Sequence, residues 1–337
     1  MTARVPAKVN LQLSVGPPRG DGYHDLVTVF HAVSLFDEVT VRPAERTSVA
    51  VTGEDSASVP ANRANLAARA ARALAAASMR RRGKSGVRIE IRKRIPVAAG
   101  LAGGSADAAA TLVACNELWG TGLSQAELRE VAASVGSDVP FALVGGTAIG
   151  QGRGEQLTAA LTAGTYHWVL AFSAGGLSTP DVYAACDRLR ARAADRQETG
   201  TGAGETGATG TGAADSAAGA GGPGGAGPVP PPRLSTELMA ALRSGDPAAV
   251  GPLLSNDLQP AAVSLRPDLR RALNAGRDHG ALGAIVSGSG PTCAFLAADA
   301  RRARELAVSL TGAGVCRAVV QVKGPAAGAT LIAAERG

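Results

Sequence analysis

Residues 96–112 read PVAAGLAGGSADAAATL, with three glycines and a serine inside six positions and a run of alanines directly behind them. Glycine leaves the backbone free to enter left-handed conformations, and alanine is the best helix former. Such a stretch has to turn tightly and then start a helix. Helix N-termini carry unpaired N–H groups and partial positive charge, and glycines let that backbone approach phosphate oxygens closely. Gly100, Gly103 and Gly104 supply the loop, and Ser105 is expected to cap the helix and offer its hydroxyl to a phosphate or a metal. The helix is expected to run to about Trp119, with Ala106, Ala109, Ala110, Val113, Ala114 and Leu118 on one face. Two readings stand: a phosphate cradle, or a close helix contact made by small residues. The Gly-Lys-Ser/Thr ending of a Walker A loop is missing. The order GLAGGS is neither a Rossmann GxGxxG nor a protein-kinase glycine loop.

A length of 337 residues favours two domains. Aromatics are only 3% of a chain that is 45% hydrophobic, so its cores must be built from Ala, Val, Leu and Ile. The net charge of +6 suits anionic ligands such as nucleotides, or nucleic acid. The basic clusters at 80–84, 92–94 and 301–304 are separate and carry no interleaved aromatics, so they read as solvated faces. RKR at 92–94 differs, because it leads into the glycine stretch. Cys115, Cys186, Cys293 and Cys316 form no CxxC pair and read as buried thiols in a reducing compartment. The start MTARVPAKVN has no apolar signal region, and no run approaches the ~20 residues of a membrane span. A cytoplasmic chain without a membrane partner is expected.

Loose alternation predicts a strand from Arg4 to Val15, followed by the loop GPPRGDGYH. Strand segments are expected over Val27–Val41, interrupted near Phe36–Asp37, then a helix over Asn65–Met79 and a strand over Val87–Ile95. Ser124 and Glu127 predict a capping box. Two short strands are expected in Gly146–Leu157, with the domains divided as 1–155 and 156–337. A strand over Trp168–Phe172 and a helix over Pro180–Arg192 follow. The TG- and GA-rich segment Thr199–Pro232, or 196–232 at its widest, lacks large apolar residues and is expected to be a disordered insertion. Helices resume from Leu234. GALGAIVSGSGPTCAFLA predicts strand, glycine turn, strand, and the chain is expected to close with a helix over Arg301–Leu310 and strands over Val315–Val322 and Ala329–Ala333.

PAKVNLQL near the N-terminus, PVAAGLAGGSADAA and VSGSGPTCAFL resemble, in order and spacing, the three motifs of the GHMP kinase superfamily. GDGYHDLVTVF, NLAARAARAL, GSDVPFALVGGTAIGQGRGEQLT and LSNDL are similar to its 4-diphosphocytidyl-2-C-methyl-D-erythritol kinase branch. The likeness spans nearly the whole chain outside the insertion. It implies a two-domain α+β GHMP kinase fold, with a left-handed βαβ unit in the N-terminal domain and a ferredoxin-like C-terminal domain. It also implies ATP-dependent phosphorylation of the 2-hydroxyl of 4-diphosphocytidyl-2-C-methyl-D-erythritol, on the way to isoprenoids. The partner is then a small molecule and not a nucleic acid; monomer and dimer both stay open.

Alone, Lys8 would be a surface charge and Asp138 a turn or cap residue. The resemblance makes them the catalytic pair: a carboxylate accepts the alcohol's proton, and an ammonium steadies the developing alkoxide. Tyr23 and His24, otherwise a partly buried loop pair, are implied at cytosine, with Tyr183 as the second ring where the family often has Phe. Asn10 and Thr179 are implied at the substrate. Asn65 could simply cap a helix; the family places it at adenine with Leu66, Lys93 and Pro96. Val97, Ala98, Ala99, Gly100, Leu101, Ala102, Gly103, Gly104, Ser105 and Ala106 complete the expected ATP site. Ser287, Gly288, Ser289 and Gly290 could be no more than a hairpin turn, and are implied against the phosphates and substrate. Mg²⁺ is expected on ATP and Ser105. A GHMP kinase for another alcohol would have no evident use for Tyr23, His24 and Tyr183. A nucleic-acid-binding module would need a continuous basic face.

Overall fold

The computed structural model describes residues 1–78, 86–201 and 229–333. In chain order its first part holds β1 (Thr2–Pro18), β2 (His24–Pro43), β3 (Ser48–Gly53), α1 (Leu66–Ser78), β4 (Val87–Lys93), α2 (Gly103–Trp119), α3 (Gln125–Val135), α4 (Val139–Val144), β5 (Thr147–Gln151) and β6 (Gln156–Ala159). The second part holds β7 (Tyr166–Phe172), α5 (Thr179–Thr201), α6 (Thr236–Ser244), α7 (Pro247–Val250), β8 (Ser255–Asn256), α8 (Gln259–Leu265), α9 (Asp268–Asp278), β9 (Gly283–Val286), β10 (Cys293–Ala297), α10 (Ala300–Gly312), β11 (Ala318–Gly324) and β12 (Thr330–Ile332).

Strand β1 organises the molecule. Its period of two puts Val5, Ala7, Val9 and Leu11 into the main core and turns Lys8, Asn10 and Gln12 to the other face, where they are also buried. The first sheet runs β12-β1-β2-β4-β3, with β5 and β6 continuing from β2 and the short β8 pairing with β1. Strands β3 and β4 are parallel neighbours joined through α1, which is the βαβ unit of the N-terminal domain. The second sheet, β11-β7-β10-β9, is wholly antiparallel. In chain order that is 4-1-3-2, the ferredoxin-like arrangement, with α9 and α10 packed on it. The fold is therefore the two-domain α+β expected.

Several expectations change. The division near residue 155 falls within the β5–β6 hairpin, where Ala148 faces Ala159, and β12 returns from the far end of the chain to the first sheet. Strand β2 is continuous through Phe36 and Asp37; the interruption is a register shift opposite Pro6, which has no N–H to give. Helix α2 starts at Gly103, with Ala102 as its N-cap, so Ser105 lies in its first turn and caps nothing. The helix is buried on nearly all sides, between α1, α4 and strands β1 and β2, and not along one stripe; Val113 and Leu118 are only half-buried. Strand β3 was not expected. Helix α5 continues past Arg192 to Thr201, into the start of the expected insertion; its residues 202–228 lie outside those described. The capping box at Ser124 and Glu127 is present. Cys115, Cys186 and Cys293 are buried and free, and burial pushes the thiols of Cys115 and Cys293 up to about 12, which leaves them inert. Among the described residues no helix is long and apolar enough to cross a membrane.

Candidate active site

The polar face of β1 opens into a cavity of about 510 Å³ between the two domains. Lys8 is buried there. Its Nζ donates to Asn10 Oδ1 at 2.6 Å, Asn10 Nδ2 donates to Thr28 Oγ1 at 2.8 Å, and Thr28 Oγ1 donates to the Gln12 carbonyl at 2.7 Å. This chain fixes the ammonium. Asp138 approaches from the N-terminus of α4, its Oδ2 4.0 Å from Lys8 Nζ. It stands at the N-cap position but makes no capping bond, so its carboxylate is spared for the cavity that it lines. Burial holds the Lys8 ammonium below the usual lysine range, and the charge of Asp138 works against that shift.

The glycine loop forms the facing wall. Ala98, Gly100 and Ala102 have φ of 50°, 76° and 58°, so the backbone winds left-handed three times before α2 begins. The first intrahelical bond from α2 is Ala106 N–H to the Ala102 carbonyl, which leaves the N–H groups of Gly103, Gly104 and Ser105 without helical partners. Gly100 is required for close approach: a Cβ there would lie 2.1 Å from the Ser287 carbonyl. The loop is thus clamped to the turn after β9, with Ser287 Oγ donating to the Gly100 carbonyl at 3.1 Å. Gly288, at φ 56°, comes close enough that a Cβ would sit 3.1 Å from Lys8 Nζ.

Of the residues expected at ATP, Leu66, Ala98, Ala99, Gly100, Ala102, Gly103, Gly104 and Ser105 line this cavity. Leu101 and Ala106 point into the core, while Pro96 and Val97 line a separate cavity of about 170 Å³ behind the loop. Asn65 caps α1, its Oδ1 accepting from Ala67 N at 2.8 Å. Lys93 does not reach the cavity. It is buried beneath the start of α2, bonded to Asp37 and, at 2.8 Å, to Asp107. Burial opposes its charge, but the two carboxylates outweigh burial and hold the ammonium above the usual range. Asp37 also accepts from the N–H groups of Arg94 and Ile95, which pins the entry to the glycine loop. In the third motif, Gly288 and Ser289 line the cavity, whereas Ser287 and Gly290 build the domain joint.

A second cavity of about 660 Å³ adjoins the first, sharing Leu26, Ser137, Arg153, Thr179, Pro180 and Tyr183 with it. It holds Tyr23, half exposed, with the Arg153 guanidinium 5.0 Å from its ring centroid. His24 is buried, 5.0 Å from the Tyr183 ring between centroids, with Nε2 3.0 Å from Asp187. Thr179 and Ser289 share a hydroxyl bond of 2.9 Å that ties the start of α5 to the β9–β10 turn within the second domain. Thr28, Arg153 and Asp187 are contributors that sequence reasoning missed. Thr28 and Arg153 lie within GDGYHDLVTVF and GSDVPFALVGGTAIGQGRGEQLT, stretches that carry the resemblance, but nothing local marks Asp187.

A family model of the GHMP kinases N terminal domain matches residues 65–146, and one of the GHMP kinases C terminal matches residues 238–316. The 4-diphosphocytidyl-2-C-methyl-D-erythritol kinase of Mycolicibacterium gilvum is 52% identical over 336 residues, covering 99% of this chain and 93% of that protein. That of Thermobifida fusca is 50% identical, covering 98% of each. The chain belongs to the 4-diphosphocytidyl-2-C-methyl-D-erythritol kinase family. It is accordingly an ATP-dependent small-molecule kinase of the GHMP type. The crystal structure of a 4-(cytidine 5'-diphospho)-2C-methyl-D-erythritol kinase is similar at a TM-score of 0.69 and 31% identity, over 96% of this chain and 98% of that one. A homoserine kinase from Cytophaga hutchinsonii, at TM-score 0.68 but 19% identity over 98% of this chain and 97% of that one, shares the fold alone. Within the 4-diphosphocytidyl-2-C-methyl-D-erythritol kinase family, the paired cavities acquire a chemical reading.

Proposed function

We propose that the protein transfers the γ-phosphoryl group of ATP to the 2-hydroxyl of 4-diphosphocytidyl-2-C-methyl-D-erythritol, with Asp138 as general base. The observation that carries this is the meeting of Lys8 and Asp138 on the wall of a cavity that continues into an aromatic one. The cytosine lies between Tyr23 and Tyr183 and against His24. Arg153, which lines both cavities, faces the diphosphate that joins base to alcohol. The methylerythritol end reaches Asn10, Thr179 and the Lys8–Asp138 pair.

The ATP phosphates rest on the free N–H groups at the start of α2. As the acceptor oxygen bonds to the γ-phosphorus, the bridging bond to the β-phosphate breaks and the hydroxyl proton passes to Asp138. Lys8 steadies the negative charge on the acceptor and the moving phosphoryl group. Among the described residues no cluster of three or more His, Cys, Asp or Glu could cage a metal. The donor set suits Mg²⁺ all the same, since that ion is commonly held by substrate phosphates, waters and one or two protein oxygens. Ser105 would supply the protein oxygen, and bound Mg²⁺ would neutralise charge on the transferring group. The protein works on a small molecule in the reducing cytoplasm, where its free cysteines stay thiols.

The test is ADP release from ATP with a panel of alcohols. Turnover is expected with 4-diphosphocytidyl-2-C-methyl-D-erythritol and not with homoserine or mevalonate. Equal turnover of these base-free alcohols would overturn the reading.

A further inference from the structure

We propose that Asp187 is a positioning residue that decides which pyrimidine the second cavity accepts, by holding His24 in one tautomer; the inference rests on the cytidyl reading above. Tyr183 and Asp187 are four residues apart on α5 and therefore share a helix face. That face meets the first residue of β2, His24. Nε2 of the imidazole lies 3.0 and 3.2 Å from the two oxygens of Asp187. An ionised carboxylate only accepts, so Nε2 carries the proton and donates it. A neutral ring with its proton on Nε2 has a bare lone pair on Nδ1.

Among the described residues nothing bonds Nδ1, and the ring lines the cavity beside Tyr183. His24 is 8% exposed, yet Nδ1 is not among the buried polar atoms left unpaired, so it is open to whatever occupies the cavity. A base seated against Tyr183 therefore meets an acceptor fixed in place. The exocyclic amino group of cytosine donates to it. The carbonyl that uracil carries at the same ring position sets lone pair against lone pair. Without Asp187 the proton is free to move to Nδ1, and the imidazole then presents a donor that suits uracil. Selectivity thus sits in a residue that does not touch the base.

The test is calorimetric binding of cytidine 5'-diphosphate and uridine 5'-diphosphate to the full chain, with a non-hydrolysable ATP analogue saturating the first cavity. The wild type is expected to prefer the cytidine ligand by about 10- to 100-fold, the scale of one satisfied against one unsatisfied buried group. Asp187→Ala is expected to cut that ratio below about 5-fold, chiefly by gaining affinity for the uridine ligand. Asp187→Asn is expected to keep most of the preference, because its amide oxygen still accepts from Nε2. Asp187 is at the partly exposed side of a helix, where alanine is well tolerated, and unchanged affinity for the ATP analogue checks the fold. An unchanged ratio in Asp187→Ala, or an equal loss for both ligands, would overturn the proposal, as would a wild type without preference. Turnover of the cytidyl alcohol is measured separately. A protein that prefers the cytidine ligand but does not phosphorylate that alcohol would keep this inference and refute the reading beneath it.

Discussion

Lys8 and Lys93 stand in the same sheet, on β1 and at the end of β4, and both are almost fully buried, at 6% and 3% exposed. Their electrostatic surroundings are opposite. Lys93 is held between Asp37 and Asp107, which raise its affinity for the proton. Lys8 has a neutral amide at 2.6 Å, an aromatic ring 5.7 Å away and a single carboxylate at 4.0 Å, and burial lowers its affinity for the proton. A buried cation held between two carboxyl groups is a rivet. One whose charge is under-matched and faces a cavity is available to whatever charge develops there. Lys93 pins strand, loop entry and helix together so that Lys8 has a fixed wall to face.

The comparison breaks most visibly at Lys93. Lys93→Met leaves Asp37 and Asp107 buried without their cation. Removing one partner of such a cluster costs about 3–5 kcal/mol, so the melting temperature should fall steeply. A melting temperature within a degree or two of wild type (a shift far below that cost) would show that the cluster is not the rivet described.

Lys8→Met should behave the other way. Folded Lys8 binds its proton less tightly than unfolded Lys8, so at neutral pH its charge costs stability, a cost relieved only as pH rises past its lowered pKa. The melting temperature should equal or exceed that of wild type, while kcat falls by about 10²–10³, the scale for losing one preorganised charge partner in the transition state. In the wild type the alkaline limb of kcat should lie below the usual lysine range. A variant as active as wild type, or one that melts well below it, would contradict the assignment.

Why the sequence marks one lysine and misplaces the other is physical. PAKVNLQL announces Lys8 only through its likeness to a family motif; its loose alternation alone makes the lysine a surface charge, whereas in the structure Lys8, Asn10 and Gln12 share one buried face. The glycine loop is legible from its residues: only a tight turn explains its composition. Lys93 looks like part of a basic run leading into that loop. What buries it are Asp37 and Asp107, 56 and 14 residues away, whose approach depends on strand pairing and helix docking that no local pattern encodes. The same holds for Asp187, 163 residues from His24, and for Arg153 beside Tyr23. Ser105 misled for a subtler reason: capping statistics favour serine, but Ala102 takes up the left-handed conformation and starts the helix earlier.

A smaller effect tests the second cavity against the first. Tyr183→Ala removes one face of the proposed stacking pair. Base–aromatic stacking is worth roughly 1–3 kcal/mol, so KM for the cytidyl substrate should rise about 5- to 150-fold while KM for ATP stays put. An equal rise in both would mean that the two cavities do not divide the substrates as described.

The central claim, that Asp138 takes the proton which Lys8 helps to release, is tested most directly by kcat of Asp138→Asn measured where chemistry limits the rate. Asparagine keeps the shape of the site and cannot accept the proton. Both substrates should still bind, and kcat should fall by about 10²–10⁴, the usual contribution of a positioned general base. Combining it with Lys8→Met should cost little more than either alone if the two act as a unit. A near-normal kcat in Asp138→Asn would contradict the account, and would leave catalysis to alignment and to the positive charge around the glycine loop.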